Sequence, residues 1–194
     1  MIPFPNKKYK IIYADPPWEY DVDYRRNAAK QKYQTQHHLE IGKLPIHEIR
    51  DNPCILLCWA TFPKLKECLE LISLWGFEYK TCFFVWVKTS NYTNNQYNYL
   101  GMGTYTRQNA EVCLLATYGS GASKLVMKKN PMRNIIYSPV REHSRKPPEI
   151  RDKIVKLFGD IPRIELFART KVHGWDVWGN DEKLEAQPLE AFLS

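Results

Sequence analysis

The chain has 194 residues and a mass of 22.9 kDa, with 44% hydrophobic, 25% charged and 13% aromatic residues. Such a composition buries a core and excludes wholesale disorder, and the length predicts a single domain over 1–194 with an acidic tail from about Asp181. Net charge is +7 and the isoelectric point about 9.1, while no apolar run approaches the ~18 residues of a membrane-spanning helix and Met1 to Lys8 holds no apolar secretory stretch; a soluble cytoplasmic protein is expected.

Taken in chain order, the pattern alternates between strand and helix, the mark of an α/β fold. Tyr9 to Ala14 reads as a buried strand that stops at Asp15-Pro16-Pro17. Pro53 to Trp59 is a second continuous apolar run, and from Pro63 the apolar spacing becomes helical (Leu65, Leu69, Ile72) until Gly76. Phe77 to Lys88 and Ala110 to Tyr118 are β-branched and aromatic stretches suited to central strands. A helix is predicted after Pro147-Pro148, where Ile150, Ile154, Leu157 and Phe158 share one face and proline at the first turn costs nothing. Gly159 ends it, and Arg163 to Ala168 is the last strong strand.

Three connections exceed the usual loop length: Glu19 to Arg50, Thr89 to Asn109 and Gly119 to Lys146. The second mixes Asn and Tyr, stacking faces beside amide groups. The charge excess is concentrated at the third, since Lys124 to Arg151 holds eight basic residues against Glu142 and Glu149. A solvated basic face and a polyanion-binding surface both fit, and the basic isoelectric point tilts the balance towards nucleic acid. The five cysteines form no Cys-x-x-Cys pair and lie mostly in apolar runs, so reduced core thiols are expected. The adjacent His37-His38 cannot converge on one metal from a regular element, and no metal site is predicted.

The sharpest local signal is Asp15-Pro16-Pro17-Trp18 directly after a strand, where α/β folds bind ligands. Two prolines stiffen the turn. To a planar exocyclic amine it offers a carboxylate, the Pro16 carbonyl and the Trp18 ring: two hydrogen acceptors and a stacking face. An adenine-like N6 is a weak nucleophile because its lone pair is delocalised, so acceptors that favour a pyramidal nitrogen stabilise the charge that develops during attack. Alone, the tripeptide also reads as an ordinary rigid turn with an aspartate cap.

The tetrapeptide resembles the signature of the MT-A70 family of S-adenosylmethionine-dependent adenine-N6 methyltransferases, and further blocks come in the same order. These are Leu74-Trp-Gly-Phe77 with Val85-Trp-Val-Lys-Thr89, then Asn109-Ala-Glu111-Val-Cys113-Leu, Arg145-Lys146-Pro147-x-Glu149-Ile150, Ile164-Glu165-Leu166-Phe167-Ala168-Arg169 and Trp178-Gly179-Asn180. Together they span residues 9 to about 181. The resemblance implies a Rossmann-like methyltransferase fold in permuted order, with the catalytic motif first and the cofactor strand near the C-terminus. It implies catalytic roles for Asp15, Pro16, Pro17 and Trp18, with Asp15 also touching the cofactor. Lys146 would meet the cofactor's carboxylate. Glu165, Leu166, Phe167 and Arg169 would form the end of the cofactor strand and its loop, and Asn180 and Asp181 would reach the cofactor's ribose or adenine.

On the substrate side the resemblance points to Tyr33 near the target base and to Glu111 as a buried carboxylate at the edge of the site. Arg141 and Arg145, in the basic segment, would hold phosphates. S-adenosylmethionine is the expected cofactor, without a metal, because methyl transfer from a sulfonium needs alignment and charge stabilisation. Nucleic acid is the expected partner. Compact members of the family are typical of bacteria and phages, where DNA adenine is the usual target, so DNA is preferred over RNA; an RNA methyltransferase and a non-catalytic nucleic-acid-binding subunit remain the alternatives. The sequence leaves a homodimer or a partner subunit open.

Overall fold

A computed structural model describes residues 3–20, 36–90, 99–103, 105–126, 132–141 and 145–179. Seven strands form one sheet: β1 (Tyr9–Ala14), β2 (Arg50–Thr61), β3 (Glu78–Thr89), β4 (Ala110–Tyr118), β5 (Ile135–Pro139), β6 (Arg163–Leu166) and β7 (Asp176–Trp178). Among the described residues four α-helices accompany them: α1 (His38–Gly42), α2 (Ile46–Ile49), α3 (Leu65–Leu74) and α4 (Glu149–Phe158). The strand order is β5-β3-β4-β2-β1-β6-β7. β1 pairs in parallel with both β2 and β6, whereas β4 runs antiparallel to its neighbours β2 and β3. β5 and β7 lie parallel to β3 and β6, so among the described strands β4 is the reversed one.

The continuous apolar runs of β1 and β2 reflect burial on both faces. Ile12, Ala14, Leu56 and Cys58 pack with Ile41, Ile46, Ile49, Leu71 and Ile72 of α1, α2 and α3. The alternate residues Ile11, Tyr13, Leu57 and Trp59 pack with Ile150, Ile154 and Phe158 of α4. The sheet is therefore the middle of three layers. Each fully buried isoleucine contributes roughly 1.5–3 kcal/mol by removing apolar area from water.

α3 stops as its sequence predicts. Gly76 takes φ +75°, its N–H bonds the Ser73 carbonyl at 2.9 Å, and the Phe77 N–H reaches back to Ile72 at 3.0 Å. That is a Schellman ending, which needs a left-handed residue at the glycine position. α4 begins behind Pro147-Pro148 with Glu149 and Asp152 in its first turn, where carboxylates complement the positive helix end, and stops at Gly159. Among the described residues no helix is long and apolar enough to cross a membrane.

Candidate active site

The site is built on the rim where β1, β2, β3 and β6 end. Strand β1 lies between β2, the next strand in the chain, and β6, which returns some 150 residues later; this is a switch point of the kind that opens a crevice at the carboxyl ends of strands. Asp15 succeeds β1 there. Because β4 is reversed, its first residues reach the same rim, and Glu111 lies opposite Thr61 of β2 and Trp86 of β3. Lys88 is two residues beyond Trp86 and so shares its face of the sheet. Lys146 arrives from the segment that leads into α4.

These four side chains form a chain of alternating charge. Lys146 Nζ donates to Asp15 Oδ1 at 2.7 Å and lies 3.1 Å from Glu111 Oε2, while Lys88 Nζ lies 2.5 Å from Glu111 Oε1. Each ammonium also sits above an indole: Lys146 is 5.6 Å from the Trp59 ring centre and Lys88 is 5.2 Å from that of Trp86. Side-chain exposure is 4% for Glu111, 11% for Lys146, 13% for Lys88 and 21% for Asp15, so the attraction acts in a poorly hydrated environment. Burial alone would strip the charge from Lys146, but the fields of Asp15 and Glu111 outweigh it and hold the ammonium well above the ordinary lysine value. Burial likewise pushes Glu111 up, yet Lys146 and Lys88 bring it below the ordinary carboxylate value. Lys146 and Glu111 are therefore both charged at neutral pH.

Beside them, the Asp15-Pro-Pro-Trp turn is tied down by the backbone. The Pro16 carbonyl accepts the Trp18 N–H at 2.9 Å, which leaves its second lone pair for another donor, and the Pro17 carbonyl accepts the Gln36 N–H at 2.9 Å. Trp18 is 6% exposed, with its indole N–H bonded to the Trp59 carbonyl at 3.1 Å. The ring thus braces the turn from the core side and presents little open face.

Of the residues expected to meet a cofactor, Leu166 is fully buried at the end of β6, and Phe167 comes next with φ +60°. Among the described residues Phe167 is the one non-glycine residue with positive φ, a conformation that costs of order 1 kcal/mol and clusters at ligand sites. Its ring meets Trp178 edge to face at 5.8 Å between centres. Glu165 is engaged within the protein. Both its oxygens accept from Arg151 of α4, at 2.6 Å from Nε and 2.7 Å from Nη2, in a buried bidentate pair. Burial keeps Glu165 above its ordinary value even beside that guanidinium.

Arg169 is half-buried, Arg141 is exposed, and Arg145 is exposed with a 3.0 Å bond to Thr170. Tyr33, Asn180 and Asp181 lie outside the described residues. The basic segment accordingly divides: Lys124, Arg133, Arg141 and Arg145 face outwards, while Lys146 and Arg151 turn in to carboxylates. Sequence reasoning missed the pairing roles of Lys88 and Arg151. Lys88 stands within the Trp-Val-Lys-Thr block and its partner Glu111 is a candidate site residue in its own right, but only the β3–β4 register joins them.

A sheet with one reversed strand, covered by helices on both faces and carrying this charged rim at its switch point, is the Rossmann-like methyltransferase fold. The MT-A70 family model matches residues 9–181, and the chain belongs to that family. It is similar to the Type II methyltransferase M.MunI of a Mycoplasma species, with 33% identity over 93% of this chain and 82% of the relative. It is also similar to the N(6)-adenine-specific methyltransferase METTL4 of Mus musculus, with 27% identity over 97% of this chain and 40% of the relative. A putative N(6)-adenosine-methyltransferase MT-A70-like protein of Medicago truncatula is 29% identical over 89% of this chain and 26% of its own length.

Proposed function

We propose that the chain methylates the N6 amine of adenine in DNA, with S-adenosylmethionine as the methyl donor. The observation that carries this reading is the contact of Asp15, in a backbone-braced Asp-Pro-Pro-Trp turn, with Lys146 at the switch-point rim. The residues present fit such a donor. Lys146 holds Asp15 at 2.7 Å and Glu111 at the longer 3.1 Å, and the Glu111 contact is the one its ammonium can exchange for an amino-acid carboxylate. The positive φ of Phe167, where β6 ends beside Asp15, supports a crevice there for the rest of the donor.

When bound, the donor supplies a methyl group on a sulfonium. The chain's own residues do the rest. Asp15 and the free lone pair of the Pro16 carbonyl accept the two hydrogens of the target amine, which orients its nitrogen lone pair and stabilises the positive charge that grows on it. Once methylated, the amine has a low pKa, and Asp15 stands where its proton leaves. Lys146 and Lys88 balance the charges of Asp15 and Glu111, so the cluster carries no net charge into the crevice. The outward basic residues Lys124, Arg133, Arg141 and Arg145 would hold phosphates while an adenine is turned out of the stack or presented on a single strand.

DNA is favoured by the similarity to a type II methyltransferase, 82% of which the chain covers, against 26% of the plant N(6)-adenosine-methyltransferase-like relative. RNA is the second reading, supported by the adenosine named in several relatives. Incubation with isotopically labelled donor and a mixture of double-stranded DNA, single-stranded DNA and RNA, with subsequent digestion to nucleosides, decides between them: label in N6-methyldeoxyadenosine is expected, and label in N6-methyladenosine alone would transfer the assignment to RNA. Asp15→Ala should lower transfer by about 10²–10³-fold or more, as removal of one transition-state partner does, without unfolding the protein. Wild-type rates in that variant would overturn the role of Asp15.

A further inference from the structure

Glu111 is 3% exposed and has a separate cation on each oxygen, Lys88 on Oε1 and Lys146 on Oε2. A buried carboxylate cannot be stranded without a penalty of several kcal/mol. The two lysines are held very differently. Lys88 is on a strand whose N–H at that position bonds the Asn109 carbonyl at 2.7 Å, and it lies over Trp86, itself fully buried with its indole N–H bonded to the Ser138 carbonyl at 2.8 Å. Lys146 lies in the non-helical approach to α4 and divides its ammonium between Asp15 and Glu111. One cation is fixed and the other is shared.

We propose that Lys88 is a positioning residue for the methyl donor: it keeps Glu111 paired in the sheet, so that Lys146 can turn from Glu111 to the donor's carboxylate without stranding a buried charge. This rests on the proposed contact of Lys146 with that carboxylate. Without Lys88, Glu111 would depend on Lys146 alone and would compete with the donor for it. With a neutral amide at position 111 no buried carboxylate competes with the donor for Lys146, and Lys88 loses its purpose. The energetic signature is therefore a coupling between Lys88 and Glu111 that is read in donor affinity, not only in stability.

Calorimetric titration with S-adenosylhomocysteine, which keeps the amino-acid carboxylate and undergoes no transfer, tests this on the whole chain. Lys88→Met should weaken binding by about tenfold or more, while the same change in a Glu111→Gln background should alter it by less than about twofold. Lys88→Arg should return affinity to within about threefold of wild type, since a guanidinium also pairs with a carboxylate. Should Lys88→Met fail to fold by circular dichroism, Lys88→Gln, which keeps a donor but no charge, carries the same comparison. Unchanged affinity in the Lys88 variants, or an equal loss in both backgrounds, overturns the proposal. Failure of the wild type to bind S-adenosylhomocysteine would instead overturn the donor reading on which it rests.

Discussion

Replacing Arg151 by methionine removes the guanidinium that donates to both oxygens of Glu165, from a pair whose side chains are only 10% and 8% exposed. The variant keeps most of the packing volume of α4 against the sheet and leaves a carboxylate inside it with no cation. Losing one partner of a buried pair costs roughly 3–5 kcal/mol. Protonation of Glu165, already raised by burial, relieves some of this, so about 3 kcal/mol is expected at pH 7. With a slope of about 2 kcal/mol per molar urea, the unfolding midpoint should fall by about 1.5 M.

Linkage sets the sign of the pH dependence. In the variant Glu165 binds its proton more tightly folded than unfolded, so the deficit grows as pH rises above the unfolded value of about 4.3 towards the folded one, and shrinks as pH falls towards 5. Adding Glu165→Leu should recover most of the loss, because an apolar pair needs no compensation. A deficit under about 1 kcal/mol, independent of pH and unrepaired by the second change, would refute the reasoning.

Gly76→Ala places a side chain at φ +75° against the Arg50 guanidinium, whose Nη1 donates to the Trp75 carbonyl, and should cost about 1–3 kcal/mol, or several degrees in a thermal melt. For Glu111 the shift runs below the ordinary value, so its ionic stabilisation is complete above about pH 4.3 and is lost as pH falls through the lower folded value. Urea unfolding of wild type and Glu111→Gln should accordingly show a difference that is flat from pH 8 to 5 and closes below that. Arg141→Ala should weaken DNA binding and reduce the slope of log affinity against log salt by about one, whereas an unchanged slope would place Arg141 away from the phosphates.

The elements with strong periodicity stand where the sequence puts them: β1, β4 and α4 have the expected bounds, and β2, α3, β3 and β6 differ by a few residues at their ends. The short pieces do not announce themselves. β5 alternates exposed Ile135 and Tyr137 with buried Ile136 and Ser138, but it is five residues long and sits inside the basic connection, while β7 has three residues. α1 and α2, of five and four residues, divide what reads as one long loop, and their anchors Ile41, Ile46 and Ile49 are buried only in the cluster they share with β1, β2 and α3. Of the site, Asp15, Glu111 and Lys146 are legible as motif residues, and the rim brings them together.

What a motif cannot encode is who pairs with whom. Glu165 reads as a ligand contact and Arg151 as one more surface cation; their bond exists because α4 packs over β6, a relation between elements rather than between neighbours in sequence. Lys88 gains its partner from the reversal of β4, which no local pattern signals.

The position of β1 between β2 and β6 has a consequence for how the protein is made. One edge of β1 can be satisfied as soon as residues 50–61 have left the ribosome, but the other waits for residues 163–166. At about 5–20 residues per second that interval lasts roughly 5–20 s, during which an apolar strand destined for the middle of the sheet is an open edge. Asp15 and Lys146, 131 positions apart, cannot meet until residue 146 has emerged. The charged cluster at the rim therefore assembles long after β1 has been made, and the interval before it is the time of greatest exposure to misassociation.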